Sequence, residues 1–154
     1  MLKPTSAYTK KVLDLFKKPH NYGRMKNPDG IGKVGNPTCG DVMWLYIEVD
    51  KKEVIKGIKF ETFGCVAAIS TSSMITDLAK GKTITQALEI TKDNIVGSLG
   101  GLPAIKYHCS VLAVDALAEA IYDYLERNKK AIPDSLVQTH KRISQSRKAF
   151  NQKK

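Results

Sequence analysis

Three cysteines carry the side chains best suited to metal binding or nucleophilic chemistry, and each lies where a loop meets a predicted element. Cys39 lies in the loop GNPTCGD (35–41), Cys65 directly precedes a predicted helix, and Cys109 lies near the start of a long predicted helix. A core thiol more often lies in the middle of an element, where it acts as a small apolar residue. The helix N-terminus after Cys65 favours a thiolate there. Because such junctions can converge at one end of a fold, we expect a common site.

A carboxylate and an imidazole accompany two of the cysteines. Asp41 follows Cys39 by two residues, and His108 directly precedes Cys109. Three soft thiolates with these two groups suit Zn²⁺ or an iron–sulfur cluster. The sequence has neither the C-x-x-C pairs of a zinc ribbon nor the four clustered cysteines of a ferredoxin. The fourth ligand would therefore be Asp41 or His108, and a hard carboxylate oxygen would leave a cluster easier to release.

These polar residues also have simple structural explanations. Asp41 could cap its loop through the neighbouring backbone, and His108 could bond the backbone at the helix start. His20 and His140 lie outside every motif and are predicted to be ordinary loop or tail residues. The sequence leaves the structural and the functional roles of Asp41 and His108 open.

The charge of the chain is distributed unevenly. The 154 residues have a formal net charge of +10. Residues 1–38 contribute +6 (eight Lys/Arg, two acids), residues 39–126 contribute −4 (eight, twelve) and residues 127–154 contribute +8 (nine, one). The acidic middle holds all three cysteines, which argues against nucleic-acid binding there. No apolar run approaches the roughly 18 residues of a membrane span, and the odd cysteine count suits a reducing compartment. We therefore expect a soluble cytoplasmic protein.

The order of the elements predicts an α+β fold, because strands come before most of the helices. We expect a small antiparallel sheet of about three strands, packed on one side by helices, with a long C-terminal helix and the metal site at one end. The predicted strands are IGKVG, 42–49 and 54–63, with the hairpin DKKE between the last two. The predicted helices are 6–18, 65–81, a capped segment from Thr83, a short helix before Pro103, and about 105–129.

The spacing of apolar residues predicts the buried face of each element. In the first helix that face is Val12, Leu13 and Phe16. One parity of the last strand is apolar and comprises Val54, Ile58, Phe60 and Thr62. The long helix has an apolar stripe of Val111, Leu112, Ala116, Ala120 and Tyr124.

The C-terminal residues 129–154 are predicted to be a basic extension of a domain formed by residues 1–128. Leu136, Ile143 and Phe150 recur every seven residues, but the positions between them are mainly Lys, Arg, Gln and Ser. This pattern favours a partly ordered helix over a disordered tail.

Three segments resemble the signature segments of the IscU/NifU N-terminal family of iron–sulfur cluster assembly scaffolds. They are GNPTCGDVM, FETFGCVAAISTSSMI and LPAIKYHCSVLAVDAL, and the leading LDLFKKPHNYG resembles the first helix and loop of that family. The resemblance covers residues 5–128 or so. It implies a cluster surrounded by Cys39, Asp41, Cys65 and Cys109, with His108 as the alternative ligand.

The resemblance also implies roles and cargo. Cys109 would be the main acceptor of persulfide sulfur, and Lys106 would lie at the mouth of the site and steer anionic sulfur, unless it is an ordinary surface lysine. The expected cargo is a 2Fe–2S cluster, with a 4Fe–4S cluster on a dimer as the alternative, and Zn²⁺ is expected to occupy the apo site. His108 is retained, whereas the SufU branch, which resembles zinc-bound sulfur acceptors, lacks it.

The implied partners are a cysteine desulfurase, a ferredoxin- or frataxin-type donor of electrons or iron, and apo iron–sulfur proteins as acceptors. A homodimer is also implied, and Tyr8 would contribute to a dimer or desulfurase contact if it does not simply pack in the core. Ala104 stands where the second proline of the family's LPPVK segment would be. The resemblance therefore leaves recognition by a dedicated Hsp70-type chaperone open.

We thus expect a scaffold that builds and passes on a cluster, not a turnover enzyme. The alternative is a zinc-bound sulfurtransferase in which the same side chains hold Zn²⁺ and Cys109 is the nucleophile. A basic nucleic-acid-binding protein with a structural metal is a third class, and the charge of −4 on residues 39–126 (eight Lys/Arg, twelve acids) disfavours it.

Overall fold

The computed structural model describes residues 8–35 and 40–152, with side chains described as far as residue 145. The strands are β1 (Gly30–Gly35), β2 (Val42–Val49) and β3 (Ile55–Phe63). The helices are α1 (Lys10–Lys17), α2 (Val66–Ala79), α3 (Ile84–Ala87), α4 (Lys92–Ser98), α5 (Tyr107–Arg127) and α6 (Asp134–Gln152), and a 3₁₀ turn (Ala104–Lys106) leads into α5. The predicted α+β class is confirmed. No helix in the described ranges is long and apolar enough to cross a membrane.

The three strands form one antiparallel sheet in the order β1-β2-β3. Gly35 at the end of β1 pairs with Val42 at the start of β2, and Val42 pairs with Phe63 at the end of β3. One end of the sheet therefore gathers three chain segments. Two of them lead directly to Asp41 and Cys65, so the sheet topology places these two residues near each other.

The turn between β2 and β3 is the predicted DKKE hairpin. The Asp50 carboxylate accepts a hydrogen bond of 2.9 Å from the Val54 N–H, and the Asp50 N–H donates to the Val54 carbonyl. Along β3 the predicted burial is confirmed for Ile58, Phe60 and Thr62. It is wrong at the strand start, where Val54 is half-buried and Ile55 is fully buried. A bulge between Glu48 and Val49 shifts the register there and reverses the alternation.

Helix α5 lies very close to β1 because neither element has a large side chain at the contact. A Cβ on Gly32 would lie 2.1 Å from the Ala116 carbonyl oxygen, and a Cβ on Gly30 would lie 2.2 Å from that of Ala120. Real Cβ atoms do not approach so closely, so only glycine fits at these two positions. The later strand residue, Gly32, meets the earlier helix residue, Ala116, so the helix runs antiparallel to the strand.

This contact also sets where α5 begins. Cys109 lies seven residues before Ala116, a distance of about 10 Å along a helix. Gly35 lies three residues beyond Gly32, again about 10 Å along a strand. Cys109 therefore comes to the same end of the sheet as the junction between β1 and β2. The predicted apolar stripe of α5 is buried at Leu112, Ala116, Ala120 and Tyr124, with Val111 half-buried.

The buried face of α1 differs from the predicted one. Val12 and Leu15 are 0% and 2% exposed, whereas Leu13 is half-buried and Phe16 is 40% exposed. Tertiary hydrogen bonds decide the rotation of this short helix. The Ser70 hydroxyl of α2 donates to the Val12 carbonyl at 2.6 Å. This bond fixes the Val12 side of α1 against α2 and leaves Phe16 towards solvent.

The C-terminal segment forms the helix α6, which packs on α5. Leu136 and Ile143, two of the three residues in the predicted seven-residue repeat, are 3% and 5% exposed and join the hydrophobic core. The side chain of Phe150 lies outside the described side chains. The division into a domain of residues 1–128 and an extension of residues 129–154 stays a prediction.

We predict that Gly32→Ala destabilises the protein by roughly 1–3 kcal/mol, because the new methyl group would push α5 away from β1. Thermal and denaturant unfolding would measure the loss. The matched control is Gly35→Ala in the same strand, where the nearest atom would lie at an ordinary 3.6 Å. Equal stability of the two variants would contradict the close contact.

Candidate metal centre

The structure brings three of the predicted ligands together. The carboxylate of Asp41 and the sulfurs of Cys65 and Cys109 all lie within 4.8 Å of one another. Asp41 is 9% exposed and Cys109 is 1% exposed, while Cys65 is half-buried. The cluster is thus sheltered but reachable from the Cys65 side. Cys39 lies outside the described residues, so its place beside these groups stays a prediction.

The three groups come from three separate element ends. Asp41 directly precedes β2, Cys65 is the N-cap residue of α2, and Cys109 lies in the first turn of α5. Gly64 allows the close approach, because a Cβ there would lie 2.7 Å from the Ala68 Cβ and 3.1 Å from the Asp41 Cγ. The helix N-termini of α2 and α5 consequently meet at the site, and both favour negative charge.

A buried hydroxyl joins these two helices. The Thr71 hydroxyl of α2 donates its single proton to the Ala67 carbonyl at 2.8 Å, and its oxygen also lies 3.3 Å from the Cys109 carbonyl oxygen of α5. This contact packs the first turn of α5 against α2 close to the two cysteines.

The separations suit a metal ligand set. The sulfurs of Cys65 and Cys109 lie 3.9 Å apart, and the Cys109 sulfur lies 4.0 Å from an oxygen of Asp41. Two sulfurs bound to one tetrahedral zinc at about 2.3 Å each would lie about 3.8 Å apart. The two thiols are also far beyond the bonding distance of a disulfide, which is about 2.05 Å. The donor set therefore fits a thiophilic metal with little rearrangement.

Cys65 is the thiol whose surroundings favour the thiolate. A hydrogen bond donated by the Cys109 thiol, the first-turn amides of Ala68 and Ala67, and the charge of Lys106 lower the pKa of Cys65 to about 5, although burial opposes them. The N-terminus of α2 lowers the pKa of Cys65 as predicted, but the hydrogen bond from the Cys109 thiol lowers this pKa more. At neutral pH Cys65 is thus mainly in the thiolate form.

Two further residues border the cysteines. The pKa of Lys106 is raised, chiefly by the nearby Cys65 thiolate. The Lys106 ammonium group is therefore close enough to Cys65 to interact with it electrostatically, and its role at the mouth of the site stays a prediction. The pKa of Tyr8 is raised by burial and then by the charge on Cys65. Sequence reasoning assigned Tyr8 to packing or to a protein contact and missed its position beside the thiols, because nothing in its spacing signals it.

His108 borders the ligand set. Its Nε2 lies 3.6 Å from the Cys109 sulfur. It is not one of the three groups whose ligand atoms all lie within 4.8 Å of each other. The other two histidines make structural contacts, since His20 pairs with Asp77 and His140 pairs with Glu119, both at 2.7 Å. His140 was predicted to be an ordinary tail residue, but it contacts a buried carboxylate.

We predict that alkylation of Cys65 in the metal-free protein reaches its full rate by about pH 6, far below an ordinary thiol. The reason is that the thiolate already predominates above a pKa of about 5. The measurement is the iodoacetamide reaction rate against pH, resolved by peptide mass spectrometry.

Two lysine variants show whether the pH midpoint depends on the charge next to Cys65 or on the charge of the whole protein. Lys106→Ala removes a positive charge beside the thiolate and should move the pH midpoint upwards. Lys80→Ala, an exposed lysine at the far end of α2, should leave the midpoint unchanged. A midpoint near that of an ordinary thiol in the unaltered protein would refute the prediction.

Comparison with known proteins places the chain in a family. A model of the NifU-like N terminal domain matches residues 7–131. The iron–sulfur cluster assembly scaffold protein IscU 1 of Archaeoglobus fulgidus is 57% identical over 123 residues, which is 80% of each chain. The scaffold protein IscU of Aquifex aeolicus is 44% identical over 133 residues, covering 82% of this chain and 85% of that one.

Solved structures show the same fold. A Fervidobacterium islandicum protein assigned to the SUF system of iron–sulfur cluster assembly is 24% identical and matches with a TM-score of 0.63, over 77% of this chain and 99% of that one. A NifU-like protein from Brucella abortus is 20% identical, with a TM-score of 0.61 over 77% and 94% of the two chains. The family match and the curated relatives show that this chain belongs to the NifU-like N terminal domain family, in agreement with the resemblance of its three cysteine segments.

Proposed function

We propose that this protein is a scaffold on which an iron–sulfur cluster is assembled and from which it is transferred to apoproteins. The observation that carries the proposal is the convergence of Asp41, Cys65 and Cys109 within 4.8 Å at one end of the fold. Relatives that share up to 57% of the aligned residues are named iron–sulfur cluster assembly scaffold proteins. Two sulfur ligands and a carboxylate suit a cargo that is bound and later released.

Sulfur would arrive as persulfide from a cysteine desulfurase. Transfer to a scaffold thiolate forms one S–S bond, while the S–S bond on the donor cysteine breaks and leaves the donor thiolate. The resemblance assigns this acceptor role to Cys109, whereas the thiolate-favouring surroundings belong to Cys65. Lys106 lies beside both sulfurs, so it would stabilise an anionic persulfide on either one.

Cluster formation then needs electrons from outside the chain. Two persulfides supply the two sulfides of a 2Fe–2S cluster, and cleavage of each S–S bond by two electrons regenerates a cysteine thiolate. Of these four electrons, two would come from a ferredoxin-type donor and two from the oxidation of two ferrous ions to ferric iron. The iron would be held by the thiolates, with Cys39 as a further thiolate ligand. The fourth ligand would be Asp41, with His108 as the alternative, since its Nε2 lies 3.6 Å from the Cys109 sulfur.

The proposed partners follow from this sequence of steps. They are a cysteine desulfurase, an electron or iron donor, apo iron–sulfur acceptors and a second copy of the chain. Within the segment LPAIK, Leu102 is buried, whereas Ala104 is exposed and Ile105 is 79% exposed, so these two residues are available to a partner next to Lys106. This exposure is compatible with chaperone recognition despite Ala104. A cytoplasmic location is part of the proposal.

A zinc-bound sulfurtransferase is the second candidate. The separation of 3.9 Å between the sulfurs of Cys65 and Cys109 matches a tetrahedral zinc site. In that case Zn²⁺ would hold the ligands and Cys109 would carry persulfide to an acceptor without any cluster forming. Zinc in the purified protein would not decide between the candidates, because the same donors bind both metals.

Anaerobic reconstitution separates the two functions. The protein would be incubated with ferrous iron, a cysteine desulfurase and cysteine, and absorption and circular dichroism would be followed before and after addition of an apo-ferredoxin. The scaffold function predicts a cluster spectrum that then moves to the ferredoxin. Persulfide accumulation with retained zinc and no cluster would instead establish the sulfurtransferase.

We predict that Asp41→Ala slows cluster transfer by about tenfold, which corresponds to roughly 1.4 kcal/mol of activation free energy. Removing the labile oxygen ligand would leave the cluster on more slowly exchanging ligands. The readout is the transfer rate to apo-ferredoxin. Glu126→Ala, an exposed carboxylate at the other end of α5, is the matched control and should transfer at the unaltered rate. Equal rates for the two variants would remove Asp41 from the release step.

A further inference from the structure

The two thiols of the metal centre form a close pair with unequal access to solvent. The sulfurs of Cys65 and Cys109 lie 3.9 Å apart. Cys65 is half-buried, whereas Cys109 is only 1% exposed. A small solute can therefore reach Cys65 first, and any group formed on Cys65 lies against the Cys109 thiol. Cysteines that respond to oxidants share this arrangement of a reachable thiol beside a resolving one.

Cys65 has more freedom to move than Cys109. It precedes the first turn of α2 and follows the exposed Gly64, and its backbone is extended and not helical. Cys109 lies within the first turn of α5, where its carbonyl oxygen lies 3.3 Å from the Thr71 hydroxyl oxygen. The two sulfurs would need to approach by about 1.9 Å to form a bond of about 2.05 Å. Rotation of a cysteine side chain between staggered positions moves its sulfur by more than this, so a side-chain movement covers the distance.

The surroundings of Cys65 favour its attack on an electrophile. The first-turn amides of Ala67 and Ala68 and the ammonium group of Lys106 stabilise negative charge on its sulfur. The Cys109 thiol donates a hydrogen bond to the same sulfur. Because the thiolate is the nucleophilic form of cysteine, these groups make Cys65 the more reactive of the two thiols.

We propose that Cys65 is a modification site for peroxides, and that Cys109 converts the oxidised Cys65 into a disulfide between the two residues while the site holds no metal. Hydrogen peroxide is the simplest member of this class and is small enough to reach a half-buried thiol. The inference goes beyond the proposed function, because it concerns oxidation of the protein before any metal is bound.

Both steps balance with hydrogen peroxide as the only oxidant. The Cys65 thiolate attacks one peroxide oxygen, so an S–O bond forms, the O–O bond breaks, and the departing hydroxide takes a proton from solvent and leaves as water. The product is a sulfenic acid, whose sulfur has lost two electrons. The Cys109 sulfur then attacks the Cys65 sulfur, so the S–S bond forms and the S–O bond breaks. The Cys109 proton leaves with the hydroxide as a second water.

The disulfide would make the site unable to bind metal. It uses two of the three groups whose ligand atoms lie within 4.8 Å of one another, and of that set it leaves only the Asp41 carboxylate. A dithiol reductant would supply two electrons and restore both thiols. A bound metal would have the opposite effect, since both sulfurs would then be coordinated and less nucleophilic. The consequence for cluster assembly rests on the proposed function, whereas the oxidation itself does not.

Peptide mapping tests the proposal directly. Metal-free full-length protein would be treated with one equivalent of hydrogen peroxide, the remaining thiols would be alkylated, and the unreduced peptides would be identified by mass spectrometry. We expect a Cys65–Cys109 disulfide as the main product, with Cys39 alkylated. The thiol count should fall from three to one and return to three with dithiothreitol. Zinc bound beforehand should slow the loss of thiols several-fold.

Single variants assign the role of each cysteine. Cys65→Ser should react with peroxide several-fold more slowly, and its Cys109 should stay reduced. Cys109→Ser should stop at the sulfenic acid on Cys65, which dimedone would trap. Cys39→Ser changes the third cysteine and should still form the Cys65–Cys109 disulfide. Thermal unfolding of each variant would show that the fold is retained.

Two results would overturn the proposal. One is a main product without the Cys65–Cys109 disulfide, whether the thiols stay reduced or pair with Cys39. The other is an unchanged rate of peroxide reaction in Cys65→Ser. Both results are independent of the proposed function, because the measurement uses metal-free protein without a desulfurase. The disulfide could form in a protein that builds no cluster, and a protein that builds clusters could fail to form it.

Discussion

The close contact between β1 and α5 is the constraint on which the rest of the structure depends. Two glycines of the strand meet two alanines of the helix, and backbone atoms rather than side chains form the contact surface. A contact without intervening side chains leaves little freedom to slide, since any shift would bring a larger neighbour against the strand. The absence of large side chains at this contact therefore sets the position of α5 along the sheet, more than any single attractive interaction does. The position of Cys109 follows from that of α5.

The chemistry of the site follows from which groups this packing puts side by side. Cys65 lies at the start of α2, but the helix terminus alone does not account for its thiolate. The larger effect is the hydrogen bond from Cys109, which is available only because α5 begins where it does. One thiol therefore stabilises the charge of the other, and the positive charge of Lys106 contributes in the same direction. A pair of unlike thiols suits the proposed function, in which the same site receives sulfur and holds iron.

The same geometry suits a proposed cluster that is first bound and later released. Two sulfurs are strong ligands for iron, and one carboxylate oxygen is a weak one. Gly64 lets Asp41 come close to the α2 terminus, so the backbone places the carboxylate that we propose as the weak ligand.

The sequence by itself determined the strands, the hairpin, the capped helices and the identity of the three cysteine segments, because these depend on local periodicity and on residue types that carry their own chemistry. Tertiary structure alone decided the rotation of α1, where a hydrogen bond from Ser70 to the Val12 carbonyl turns a different face inwards from the predicted one. It also decided the burial of Ile55, because a bulge reverses the alternation of buried and exposed residues there. It also decided that Tyr8 lies beside the thiols and that His140 pairs with Glu119. These are contacts between residues far apart in the chain. No local pattern encodes them, since they exist only once separate elements have packed together.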